Sequence, residues 1–179
     1  MSEILYDDNK QEIGRVAFRQ VIIRAHPILQ RLDDEGLPPG SSALVLVTDW
    51  SFEEGDACGG FACELRVEFS DVTNARRKDS MKPEHAQTIA RFIRSLGEHI
   101  DSIVISCAGG MSRSPAIAAA IMLAQGQADM AIWENPNYSP NPLCYRLMLE
   151  AFGLPTDQVK SKIKTSKRAF ETAFGRCTE

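Results

Sequence analysis

Cys107 and Arg113 enclose the five residues Ala108-Gly109-Gly110-Met111-Ser112, and a hydroxyl follows at Ser114. A thiol, a guanidinium and a run of backbone amides are the parts needed to attack a phosphate ester. Arg113 can offer two parallel donors to phosphate oxygens, a geometry that lysine does not match. Cations and a helix N-terminus favour a thiolate over a thiol, so a cysteine held among them is a candidate nucleophile. Ser114 is placed to donate a hydrogen bond to the same sulfur. The amides of Ala108, Gly109, Gly110, Met111, Ser112 and Arg113 complete the expected phosphate cradle, and Gly110 opens backbone conformations closed to other residues.

Such a loop must be held from both ends. The run Ile103-Val104-Ile105 predicts a buried strand, and Pro115 to Leu123 predicts a buried helix, which makes residues 107–114 the turn between them. A loop closing onto a helix N-terminus points free N–H groups and the positive end of the helix dipole at one spot.

On these residues the chain resembles the cysteine-dependent protein tyrosine phosphatase superfamily, whose signature is His-Cys-x-x-Gly-x-x-Arg followed by Ser or Thr. Cys107, Gly110, Arg113 and Ser114 match it, and Ser106 stands where that family has histidine. The likeness is specific over about residues 100–125 and extends to element order over about 40–155. It implies an α/β domain of the small dual-specificity type, with a central, mainly parallel sheet of four or five strands flanked by helices. It also implies phosphomonoester hydrolysis, on phosphotyrosine or with dual specificity, through a phosphocysteine intermediate. Two rivals stand beside it: a catalytically weak phosphate-binding pseudophosphatase, and a cysteine-based sulfurtransferase or arsenate reductase. A nucleotide-binding P-loop is excluded, since no Gly-Lys-Ser or Gly-Lys-Thr occurs.

The resemblance calls for an aspartate, on a loop upstream of the cysteine, to protonate the leaving oxygen. Asp71 is the first choice because it directly follows a predicted strand, Leu65 to Phe69; Asp79 is the runner-up, with Asp49 and Asp56 behind. The run Arg76-Arg77-Lys78 reads as solvated surface, or as a contact for a second substrate charge. Tyr138 and Asn141 are candidates for the rim of the site, while His26, Trp50 and Trp133 are expected to pack.

At 179 residues and 44% apolar content, the chain suits a single domain over 1–179, with its core over about 40–155 and a C-terminal helix over about 156–175. The net charge of −4 gives no general drive toward a nucleic-acid scaffold or an anionic membrane. No stretch approaches the roughly eighteen apolar residues of a membrane span, and Met1-Ser2-Glu3-Ile4 does not open a secretory signal, so a cytoplasmic protein is expected. Five irregularly spaced cysteines argue against a disulfide framework, and Cys58 and Cys63, with His85 isolated, do not make a zinc site. The expected chemistry calls for no metal or cofactor, because arginine and backbone dipoles carry the charge. The expected partners are a phosphorylated protein or a small phosphomonoester, with phosphate or sulfate settling in the loop.

Along the chain, residues 13–23 read as a strand or the start of a helix, and 27–34 as helical before the break at Gly36-Leu37-Pro38-Pro39-Gly40. Ala43 to Thr48 reads as a central strand, and 50–60 as an acidic loop. A polar loop spans 70–80. Pro83 opens a helix that buries Ala86, Ile89, Ala90, Ile93 and Leu96 and stops at Gly97. Shorter helices are predicted around Gln127–Trp133 and over Pro142–Phe152. In the last helix Val159, Ile163, Phe170 and Phe174 are expected to face inward, with Lys160, Lys162, Lys164 and Lys167 largely outward.

Overall fold

The computed structural model describes residues 18–25, 40–49 and 60–175, so the expectations for His26, Trp50, Asp56, Cys58 and residues 27–34 lie outside the described residues. Among the described residues four strands, β1 (Gln20–Ala25), β2 (Ser42–Thr48), β3 (Cys63–Glu68) and β4 (Ser102–Cys107), form an all-parallel sheet in the spatial order β1-β4-β2-β3. Five helices among the described residues flank it: α1 (Pro83–Ser95), α2 (Arg113–Ala124), α3 (Met130–Trp133), α4 (Pro142–Phe152) and α5 (Val159–Phe174). The chain is thus a single α/β domain of the predicted class.

The near-continuous apolar runs of β2 and β4 follow from burial on both faces. Ala43, Val45, Val47, Ile103, Ile105 and Cys107 join the large core shared with the helices, whereas Leu44, Leu46 and Val104 form a smaller cluster on the opposite face. Ser106 points away from the helix side. It is fully buried, and its hydroxyl has no hydrogen-bond partner among the described residues.

Helix α2 lies against β1, β4 and α4, and its small residues Ala116, Ala118, Ala119 and Ala120 permit that close approach from all sides. Helix α1 is one-sided, with Ala86, Ile89, Ala90 and Ile93 buried as predicted, and it ends before Gly97. Trp133 packs fully buried, its ring meeting Tyr145 edge-on with centroids 4.8 Å apart.

The last helix departs from expectation. Lys162 is buried against the Asp129 carboxylate, which also accepts from Trp133 Nε1 and from the Tyr145 hydroxyl, each at 2.9 Å. This cluster ties α5 to α3 and α4, and burial together with Asp129 pushes the Tyr145 hydroxyl far above its ordinary pKa. Because Lys162 takes the inward direction, the helix is rotated so that Ile163, Phe170 and Phe174 are exposed. A buried carboxylate demands a cation, and that demand outweighs simple apolar periodicity.

Candidate active site

Parallel strands place their carboxyl ends together, and the hollow beyond them is where such sheets hold ligands. In register, Ala25, Cys107 and Val47 align across β1, β4 and β2. The loop 108–112 rises from the end of β4, an interior strand, and turns into α2. Gly110 has φ of 64°, and a Cβ there would come within 2.9 Å of the Ala25 backbone nitrogen. Only glycine relieves both conditions at once. Its N–H donates to the Cys107 carbonyl at 3.3 Å, which tightens the turn. The amides of Ala108, Gly109, Met111 and Ser112 donate to no protein acceptor among the described residues.

Cys107 is 2% exposed, and its Sγ lies 3.0 Å from the Ser114 Oγ. With the sulfur ionised, the hydroxyl is the donor. Ser112 stands at the N-cap of α2 yet makes no side-chain cap; its Oγ turns outward to Asp71. The first helical N–H groups are therefore not consumed by the side chain that usually satisfies them.

Arg113 is the first residue of α2, and its side chain is 4% exposed. A cation at the positive end of a helix is electrostatically misplaced, so its presence needs compensation. Part of that comes from the sheet ends. Nη1 donates to the Phe69 carbonyl at 2.8 Å and, more weakly, to the Thr48 carbonyl at 3.5 Å. Nη2 meets the Asp49 carboxylate at 3.2 Å. Nε is buried and has no partner among the described residues. The guanidinium is thus fixed by one edge while a donor remains unspent.

The structure separates the two aspartate candidates. Asp71 is exposed, and its Oδ1 accepts from Ser112 Oγ at 2.9 Å and from Asn141 Nδ2 at 2.7 Å. Both donors reach the same oxygen, so Oδ2 takes part in neither bond. Asp79 lies in a two-pronged pair with Arg77, at 2.9 and 2.8 Å. Hydrogen bonding from that guanidinium holds the Asp79 carboxyl below the usual range. Its backbone carbonyl also accepts from Ser70 N–H at 2.7 Å, so Asp79 closes the loop that carries Asp71. Lys82 braces the same loop through the carbonyls of Ala75 and Arg77 and the Ser80 hydroxyl.

Asn141, a minor candidate from sequence, joins three segments. Its Oδ1 caps α4 by accepting from Leu143 and Cys144 N–H, its Nδ2 holds Asp71 and the Val72 carbonyl, and its own N–H donates to the Ser112 carbonyl. The pair Asn141-Pro142 carried that signal, being a capping residue followed by proline at the first helical position. Asp49 was readable as a carboxylate at the carboxyl end of a central strand, but nothing in the sequence tied it to Arg113. Tyr138 packs against the core and lies beside the loop, since Ser139 N–H donates to the Met111 carbonyl at 2.9 Å. Cys144 is buried nearby, its thiol pushed far above the ordinary range by burial and then by the negative charge of Asp71. No group of three His, Cys, Asp or Glu side chains suited to a metal ion occurs among the described residues. Among the same residues, no helix is long and apolar enough to cross a membrane.

No protein-family model matches the chain, and a search of curated proteins finds no significant match.

Proposed function

We propose that this protein hydrolyses phosphomonoesters through a phosphocysteine intermediate, as a protein tyrosine or dual-specificity phosphatase. One observation carries the reading: at the start of α2 the Cys107 sulfur lies 3.0 Å from the Ser114 hydroxyl, and among the described residues the Arg113 Nε and the amides of Ala108, Gly109, Met111 and Ser112 have no hydrogen-bond acceptor. Such a place favours a bound dianion, because the buried cation and the helix dipole reinforce each other there.

In the first step Cys107 Sγ attacks phosphorus and the bond to the ester oxygen breaks. The leaving oxygen takes the proton from Asp71 Oδ2. Arg113 and the loop amides hold the remaining phosphoryl oxygens, where charge is greatest as bonds form and break. In the second step water attacks phosphorus, its proton passes to Asp71, and the sulfur–phosphorus bond breaks. Ser114 stabilises the departing thiolate through its hydroxyl.

Mass spectrometry of a quenched aryl-phosphate reaction tests this directly. The expected result is a phosphoryl adduct on Cys107 that is absent in Cys107→Ser, with turnover abolished and oxyanion binding retained. Binding of oxyanion without turnover in the wild type would favour a phosphate-binding module instead.

A further inference from the structure

Beside the phosphate loop, α5 and the segment before α4 leave a cavity of about 380 Å³, lined by Trp133, Tyr138, Pro140, Ile163, Lys167 and Phe170 among others. Its wall is joined to the loop by the hydrogen bond from Ser139 N–H to the Met111 carbonyl. The Met111 side chain on the loop is itself 58% exposed. Phe170 and Phe174 continue it along α5, with ring centroids 5.0 Å apart and Phe174 60% exposed.

Charge follows the same line. At helical spacing Lys160, Lys164 and Lys167 border one side of the Ile163–Phe170–Phe174 stripe, with Arg168 further round. All four are exposed, against Glu171 alone on that stretch, in a chain whose net charge is −4. Lys167 meets Glu171 only loosely, at 3.9 Å. An exposed apolar groove with a cationic border calls for an occupant that is apolar at one point and acidic beside it. The concavity favours a side chain of an extended peptide, because membrane-seeking helices present their apolar residues outward to the bilayer.

We propose that this groove binds the polypeptide flanking the phosphorylated residue, taking an apolar side chain with acidic neighbours. The substrate class is therefore an acidic phosphoprotein segment. This rests on the phosphatase reading above. The phosphate loop fixes the phosphorylated residue, and the groove selects the sequence around it.

The test uses phosphotyrosyl peptides in which leucine and glutamate are moved through the positions on either side of the phosphorylated residue. Affinity for Cys107→Ser is measured by fluorescence anisotropy, and kcat/KM for the wild type by phosphate release. The best leucine-and-glutamate peptide is expected to exceed its alanine-and-lysine counterpart by about tenfold in both measurements. Phe170→Ser, and separately Lys164→Glu with Lys167→Glu, are expected to erase most of that preference. Hydrolysis of a small aryl phosphate by either variant stays within about twofold of wild type, which shows that the fold and the phosphate site persist. Equal affinity across the peptides, or a preference that survives both variants, overturns the proposal. So does Phe170-dependent binding to vesicles rich in phosphatidylserine without any peptide preference, which would make the face a lipid surface. Should the wild type fail to hydrolyse aryl phosphate, the phosphatase reading falls, while the affinity measurement on Cys107→Ser still decides the groove.

Discussion

Ser112 Oγ donates to Asp71 Oδ1 across 2.9 Å, so the carboxylate proposed as proton donor is tied to the loop proposed to hold phosphate. The two residues are 41 apart in sequence. Their bond, reinforced by Asn141, fixes Asp71 against the loop that leads from Cys107 into α2.

Asp71→Asn is expected to slow an aryl phosphate with a poor leaving group by about a hundredfold or more, since general acids contribute roughly that factor. The loss should shrink for an aryl ester whose leaving group is stable without a proton. Equal losses on the two esters would take the role away from Asp71.

Ser112→Ala and Asn141→Ala each loosen Asp71 without touching the sulfur. The expected result is a loss of about tenfold in kcat with little change in KM, a split that marks an interaction used in the transition state. Ser112→Thr keeps the hydroxyl and should recover most of the rate. A loss confined to KM would place these residues in substrate binding instead.

Asp49→Ala leaves Arg113 buried with carbonyl partners alone. Hydrogen bonds to charged groups are worth about 1.5–3 kcal/mol, so a loss of stability near the lower end is expected for this half-buried pair. Added phosphate should restore part of the melting temperature by supplying the missing anion. Thermal melts with and without phosphate check both statements.

His85 links pH to the same arginine. Its Nδ1 accepts from the Lys82 N–H at 3.1 Å at the start of α1, and its ring stacks on Phe69, the residue whose carbonyl holds Arg113. Burial, the main cause, keeps the imidazole pKa below its ordinary value. The folded protein therefore binds fewer protons than the unfolded chain as pH falls through about 6.5, and stability present above that pH is lost toward the folded-state value. Urea denaturation at descending pH should show this slope. His85→Gln, which keeps an acceptor for the helix start, should reduce it.

Asp129→Ala removes the anion from a buried cluster and strands Lys162. Breaking such a pair from one side costs about 3–5 kcal/mol, so the variant is expected to melt much earlier. The protein that remains folded should keep its rate on a small aryl phosphate, because Asp129 belongs to none of the hydrogen bonds around Cys107.

The strand–loop–helix around Cys107 was legible because three independent signals coincide there: a β-prone apolar run, a glycine-bearing turn with fixed spacing, and a small-residue helix. The closeness of Asp71 to the loop was legible from its place after a strand. The partners of Arg113 were not, since Phe69 and Thr48 contribute carbonyls that any residue could supply. The outward turn of Ile163, Phe170 and Phe174 was hidden for a different reason. Helical periodicity marks which residues share a face, but the direction of that face was set by one buried carboxylate at Asp129, some thirty positions upstream.

Because β4 sits between β1 and β2, the floor beneath the sulfur is made of three segments, two from the first third of the chain and one from near its middle. Gly110 needs the end of β1 to rest on, and Arg113 needs the ends of β2 and β3. None of these contacts is local, and non-local pairing forms late. A growing or partly unfolded chain therefore lacks the assembled surroundings of position 107, so the reactivity proposed for that thiol would wait for completion of the sheet.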